Sequence, residues 1–128
     1  MSDRTIGILG LGIFGSSVLT ALAKQDMNII AIDDHAEHIN QFEPVLARGV
    51  VGDITDEELL RTAGIDTCDT VVVATGENLE SSVLAVMHCK SLGVPRVIAK
   101  VKSQTAKKVL EKIGADSVIS PEYEMGQS

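Results

Sequence analysis

Gly10, Gly12 and Gly15 follow the short apolar run Thr5-Ile6-Gly7-Ile8-Leu9 in the G-x-G-x-x-G spacing that receives the pyrophosphate of a dinucleotide. Gly10 lets the chain turn sharply out of a strand, Gly12 clears the backbone for an anion, and Gly15 lets the next helix pack close to the sheet. The amides that open this helix, around Ile13 and Phe14, then face the phosphates. A second apolar run, Met27-Asn28-Ile29-Ile30-Ala31-Ile32, ends in Asp33. That acid stands about 20 residues past the glycines, where a carboxylate accepts hydrogen bonds from ribose hydroxyls. Asp34 stands beside it on the same rim, and Asp34-His35-Ala36-Glu37 is also a D-x-x-E arrangement of the kind that caps a helix. Two carboxylates with no Arg in the adjacent turn repel a 2′-phosphate, so NAD or an adenine nucleotide fits better than NADP. Glycine spacing alone is weak, because any tight turn favours glycine; strand, turn, helix, strand and acid in this order strengthen it.

In a doubly wound sheet a ligand crosses the carboxyl ends of the strands where strand order reverses. The residues due there include Gly52, Asp53, Ile54 and Thr55 after a third strand, Ala74, Thr75, Gly76, Glu77 and Asn78 after a fourth, and Lys100 at the end of a fifth. Asp53 and Thr55 would border an adenine ring, although Thr55-Asp56-Glu57-Glu58 also reads as a capping box with Thr55 as the cap. Gly76 offers a backbone opening, and Asn78 is equally an N-cap. Lys100 either neutralises phosphate or is a solvated edge lysine. No catalytic residue is expected. His35 and His38 read as surface residues far from any chemistry, and His88 as packing. Cys68 and Cys89 form no CxxC pair and stand apart from clustered His, so they read as small core residues, and neither metal nor thiol redox chemistry is expected.

The elements needed to position these residues are legible. Six strands are expected, at about Thr5 to Leu9, Asn28 to Asp33, Gly49 to Gly52, Thr70 to Thr75, Arg96 to Val101 and Asp116 to Ile119, in an α/β, doubly wound, Rossmann-like parallel sheet with helices on both faces. Gly64, Gly93 and Gly114 each stand where a helix should stop. Ala106, Val109, Leu110 and Ile113 form one apolar stripe, whereas Val83-Leu84-Ala85-Val86-Met87 is apolar all round, which calls for a symmetric partner chain on its outer face or, alternatively, leaves a few scattered apolar side chains exposed on a sheet-covering helix. With 128 residues and 45% hydrophobic content, one domain spanning residues 1–128 is expected. A net charge of -7 without a basic cluster argues against nucleic acid and anionic membrane surfaces. No apolar run approaches the ~20 residues needed to cross a bilayer, so no direct membrane insertion is expected.

The chain resembles the N-terminal nucleotide-binding lobe of the RCK family, the regulators of potassium conductance that include the cytosolic subunits of Trk and Ktr transporters. The likeness rests on Gly10-Leu11-Gly12-Ile13-Phe14-Gly15 with Asp33, on Val73-Ala74-Thr75-Gly76-Glu77-Asn78, and on Lys108-Val109-Leu110-Glu111-Lys112-Ile113-Gly114-Ala115-Asp116 followed by Pro121-Glu122 and Met125-Gly126. It implies a cytoplasmic sensor and not an enzyme: a nucleotide, NAD or NADH or else ATP, ADP or AMP, rearranges a homodimer or larger ring of such lobes, which moves a membrane potassium channel or transporter subunit. Many Ktr-type members carry Arg where this chain has Ile13, which favours NAD or NADH here. The family's smaller C-terminal lobe is expected to be missing. The alternative is the cofactor domain of an NAD-dependent oxidoreductase. On either reading Asp33→Ala is expected to weaken nucleotide binding and leave the fold intact.

Overall fold

The β-branched runs pair side by side as six parallel strands: β1 (Thr5–Leu9), β2 (Asn28–Asp33), β3 (Arg48–Val51), β4 (Thr70–Val73), β5 (Arg96–Lys100) and β6 (Ser117–Ile119). The computed structural model describes residues 4–75 and 78–120. Five helices connect the strands: α1 (Ile13–Leu22), α2 (Ala36–Phe42), α3 (Glu57–Ala63), α4 (Leu79–Ser91) and α5 (Gln104–Ile113). The sheet order is β3-β2-β1-β4-β5-β6. The chain thus winds outward one way through β2 and β3, returns, and winds the other way from β4, so β1 and β4 flank the point of reversal.

Alternation along the strands divides the core into two layers. Leu9, Ile30, Ile32, Val71, Val73, Val97 and Ala99 pack with Leu60, Val86, Cys89 and Leu110 from α3, α4 and α5. Ile8, Ile29, Ala31 and Val72 pack with Leu19 of α1 and Ile39 of α2. Both faces are covered, which is why the strands read as continuous apolar runs instead of alternating ones.

The observed strands β3, β4 and β5 end one or two residues short of expectation: Gly52, Ala74 and Val101 make a last backbone bond to the neighbouring strand before the chain turns into the rim. Asp56, and not Thr55, caps α3, accepting from the Glu58 and Leu59 amides at 3.0 and 3.3 Å. Asp34 does not cap α2 either: the N-cap position is His35, without a side-chain cap bond. Asn78 does cap α4, accepting from Ser81 N at 3.3 Å. Gly64, Gly93 and Gly114 close α3, α4 and α5 with φ of 98°, 89° and 126°, a region a Cβ disfavours. On α4 the apolar girdle is largely absorbed within the chain: Ala85, Val86 and Cys89 are buried, Val83 packs on the core, and Leu79 and Met87 remain exposed.

Candidate functional site

Strand register builds the site. Leu9 is level with Ile32 on one side and Val73 on the other, and Val73 is level with Ala99. The next residues, Gly10, Asp33, Ala74 and Lys100, therefore stand in one row at the carboxyl edge of the sheet. Between the diverging loops after β1 and β4 lies a cleft of about 740 Å³, within the size range of cofactor sites. Of the residues expected on the rim, Gly10, Gly12, Ile13, Phe14, Asp33, Asp34, Gly52, Asp53, Ile54, Ala74, Thr75 and Lys100 line it, whereas Thr55 and Asn78 do not, being engaged with Asp53 and with the α4 cap. Gly76 and Glu77 lie outside the described residues.

The three glycines have separable roles. Gly10 has φ of 99°, and a Cβ there would approach Thr75 N to 3.3 Å, so the turn and its fit against the β4 loop both require glycine. A Cβ on Gly15 would lie 1.9 Å from the Gly10 carbonyl oxygen and 3.2 Å from the Ala74 Cβ. Gly15 is buried behind the turn and lets α1 seat on it; it does not line the cleft. A Cβ on Gly12 would meet nothing within 4 Å, because that position opens into the cleft. Gly12 is also the N-cap of α1, where no side chain caps the helix and no acid stands in the first turn. The amides at this helix end are thus left to whatever enters the cleft, and the helix dipole favours an anion.

Asp33 joins the two sides of the rim. It is 6% exposed, and its Oδ2 accepts the Leu11 amide at 2.6 Å, while Oδ1 accepts the His35 amide at 2.8 Å. The Nδ1 atoms of His35 and His38 lie 3.3 and 3.0 Å from the same Oδ1. Burial pushes the Asp33 carboxyl up, but the hydrogen bonds from Leu11, His35 and His38 outweigh it and hold it below the ordinary carboxylate value. His35 and His38 do lie at the surface, with His35 60% exposed, but they are not remote from the site: both rings turn back onto Asp33 and line the cleft. Asp34 is also used differently from the expected cap: its Oδ1 lies 2.7 Å from His35 Nδ1.

Lys100 is 5% exposed and lies between β4 and β6, so it is a buried cleft lysine and not a solvated edge residue. Asp53 Oδ1 accepts both the amide and the hydroxyl of Thr55, at 2.9 and 2.7 Å, which fixes the loop after β3. His88 Nε2 meets the Thr55 carbonyl oxygen at 2.9 Å and ties that loop to α4, in keeping with its reading as packing. Sequence reasoning missed Ser17 and Ser81, which also line the cleft. The available signal for Ser17 was its place one helical turn beyond Ile13. Cys68 and Cys89 are free and buried, as expected of core residues. Among the described residues, no helix is long and apolar enough to cross a membrane.

Comparison with known proteins agrees with this architecture. The TrkA-N domain family model matches residues 6–121. Ktr system potassium uptake protein C of Bacillus subtilis is 36% identical over 124 residues, covering 97% of this chain and 56% of that protein. The chain thus spans little more than half the length of this relative. Among solved structures, the TrkA-N domain of the inner membrane protein ybaL from Escherichia coli superposes with a TM-score of 0.87 at 17% identity, covering 99% of this chain and 93% of that one. The GsuK channel bound to NAD superposes with a TM-score of 0.77 at 18% identity, covering 92% of this chain and 21% of that one.

Proposed function

Because the chain belongs to the TrkA-N domain family, we propose that it is a nucleotide-sensing regulatory module of a potassium transport system and not an enzyme. The observation that carries the reading is the cleft at the reversal of strand order, where an uncapped helix N-terminus, a buried carboxylate and a buried lysine converge. The α1 amides and Lys100 bind the phosphates, Asp33 and Asp34 the ribose, and Asp53, Ile54 and Thr75 the remaining wall. NAD or NADH is the preferred ligand, with ATP, ADP or AMP as the alternatives. The potassium uptake function of the Bacillus subtilis relative supports transport as the context. The module acts in the cytoplasm, held at the membrane by a potassium channel or transporter subunit. It assembles as a homodimer or larger ring, for which the exposed Leu79 and Met87 of α4 supply an apolar contact. The nucleotide shifts that assembly only insofar as it binds one arrangement more tightly than the other.

The test is thermal unfolding of ligand-stripped protein with NAD, NADH, ATP, ADP, AMP and NADP. A ligand at 100 times its Kd adds about 2.7 kcal/mol of stability. A shift of several degrees with NAD or NADH and none with NADP is expected. No shift with any nucleotide contradicts the proposal. The transport role is tested by potassium uptake in cells whose copy of the gene carries Gly12→Val: altered uptake at unchanged protein level is expected, and unaltered uptake contradicts it.

A further inference from the structure

Oδ1 of Asp33 accepts the His35 amide at 2.8 Å and lies 3.3 Å from His35 Nδ1 and 3.0 Å from His38 Nδ1. Two ring nitrogens, each able to present a lone pair in the neutral imidazole, thus converge on one carboxylate oxygen. The same atoms form a different kind of site. Asp33 Oδ1, His35 Nδ1 and His38 Nδ1 all lie within 4.8 Å of one another. Ligands bound tetrahedrally at about 2.0–2.1 Å from a zinc ion are separated by about 3.3 Å, close to the two Asp–His distances observed. The remaining His–His edge closes by rotation of His35, whose side chain is 60% exposed.

We propose that Asp33, His35 and His38 form a binding site for a first-row divalent transition metal of the zinc class, with its fourth position open to the cleft. Two imidazoles and one carboxylate select such ions over Mg²⁺ and Ca²⁺, which take oxygen ligands. The local chain geometry suits such a site, because Asp33 ends a strand and His35 and His38 follow at one-turn spacing at the start of α2, so that the backbone holds all three. Oδ1 binds the metal while Oδ2 keeps the Leu11 amide, which couples the ion to the glycine turn. Asp34, 2.7 Å from His35 Nδ1, adds a second negative charge beside the site. The buried thiols do not compete, since burial pushes Cys68 and Cys89 up to about 12 and keeps them protonated. This site does not depend on the nucleotide reading, although it shares Asp33 with it.

Calorimetric titration of tag-free, chelator-treated 128-residue protein with Zn²⁺ alone tests the proposal, with Mg²⁺ and Ca²⁺ as comparison ions and no nucleotide present. One Zn²⁺ per chain is expected, without comparable binding of Mg²⁺ or Ca²⁺. His35→Gln and His38→Gln are each expected to weaken Zn²⁺ binding at least about tenfold, while keeping the metal-free circular dichroism of the parent. Co²⁺ should give the visible absorption of a nitrogen-containing site in the parent and lose it in both variants. Absence of Zn²⁺ binding, or binding of equal strength in both variants, overturns the assignment.

Discussion

The Asp33 carboxylate accepts the Leu11 backbone N–H at 2.6 Å, across 22 residues of chain, and so fastens the end of β2 to the glycine turn after β1. An acid expected to face only a ribose is therefore also a structural strut. Asp33→Ala leaves the Leu11 amide without this acceptor in a buried setting, at a cost of about 1–3 kcal/mol. The expectation that this variant leaves the fold untouched is revised accordingly: urea unfolding of the ligand-free variant should show a lowered midpoint with unchanged slope. An unchanged midpoint would mean that the strut carries no weight.

The same cluster sets the pH dependence of stability. The Asp33 carboxyl is held below its ordinary 3.8, so its contribution is present above that value and is lost as pH falls through the lower folded-state value. His35 is raised above 6.5, first by its hydrogen bond to Asp33 and then by the charge of Asp34. Its contribution is present below 6.5 and is lost as pH rises through the raised value. Melting temperature should thus be greatest between these limits. In His35→Gln the decline on the alkaline side should flatten while the acid side persists; identical profiles would contradict the assignment.

The glycines of the turn should separate cleanly by stability. Gly15→Ala places a methyl 1.9 Å from a backbone oxygen that cannot move without reshaping the turn, and a loss of about 3 kcal/mol or more is expected. Gly12→Ala introduces a methyl into open space at φ of -73°, so its cost is limited to the poorer N-cap preference of alanine, about 1 kcal/mol or less. Thermal unfolding of the two variants side by side checks the contrast.

Most of the fold was legible because the central strands are continuous apolar runs bounded by turn residues, and because Gly64, Gly93 and Gly114 stop their helices by a local conformational rule. The rim was legible for the same reason, since it follows from where strands end. What escaped was side-chain direction at short range. Asp34 and Thr55 fit a capping pattern, yet each lies one residue too early: His35 and Asp56 hold the cap positions, and Thr55 bonds Asp53 instead. His35 and His38 looked remote from the site because their spacing from Asp33 becomes a contact only when α2 starts immediately after β2. Lys100 read equally as a cleft lysine or a solvated edge lysine, because the order of strands, which places β5 between β4 and β6, is not written in the sequence.

The cysteines offer a check on the core. Burial pushes Cys68 and Cys89 up to about 12, so neither should react with a thiol reagent at about pH 8 while the protein is folded. Both should react in full once it is unfolded in denaturant. Rapid labelling of either in native buffer would mean that the layer between the sheet and α4 is open.

The cleft between β1 and β4 should bind a nucleotide through the uncapped end of α1. Calorimetric titration of NADH into the ligand-stripped protein and into Gly12→Val, whose Cβ enters open space on the cleft side of the turn, tests this most directly. The account predicts saturable binding at one NADH per chain and at least about tenfold weaker binding to the variant, at closely similar melting temperature of the two free proteins. Equal affinity in both proteins, or no binding to the parent, would contradict it.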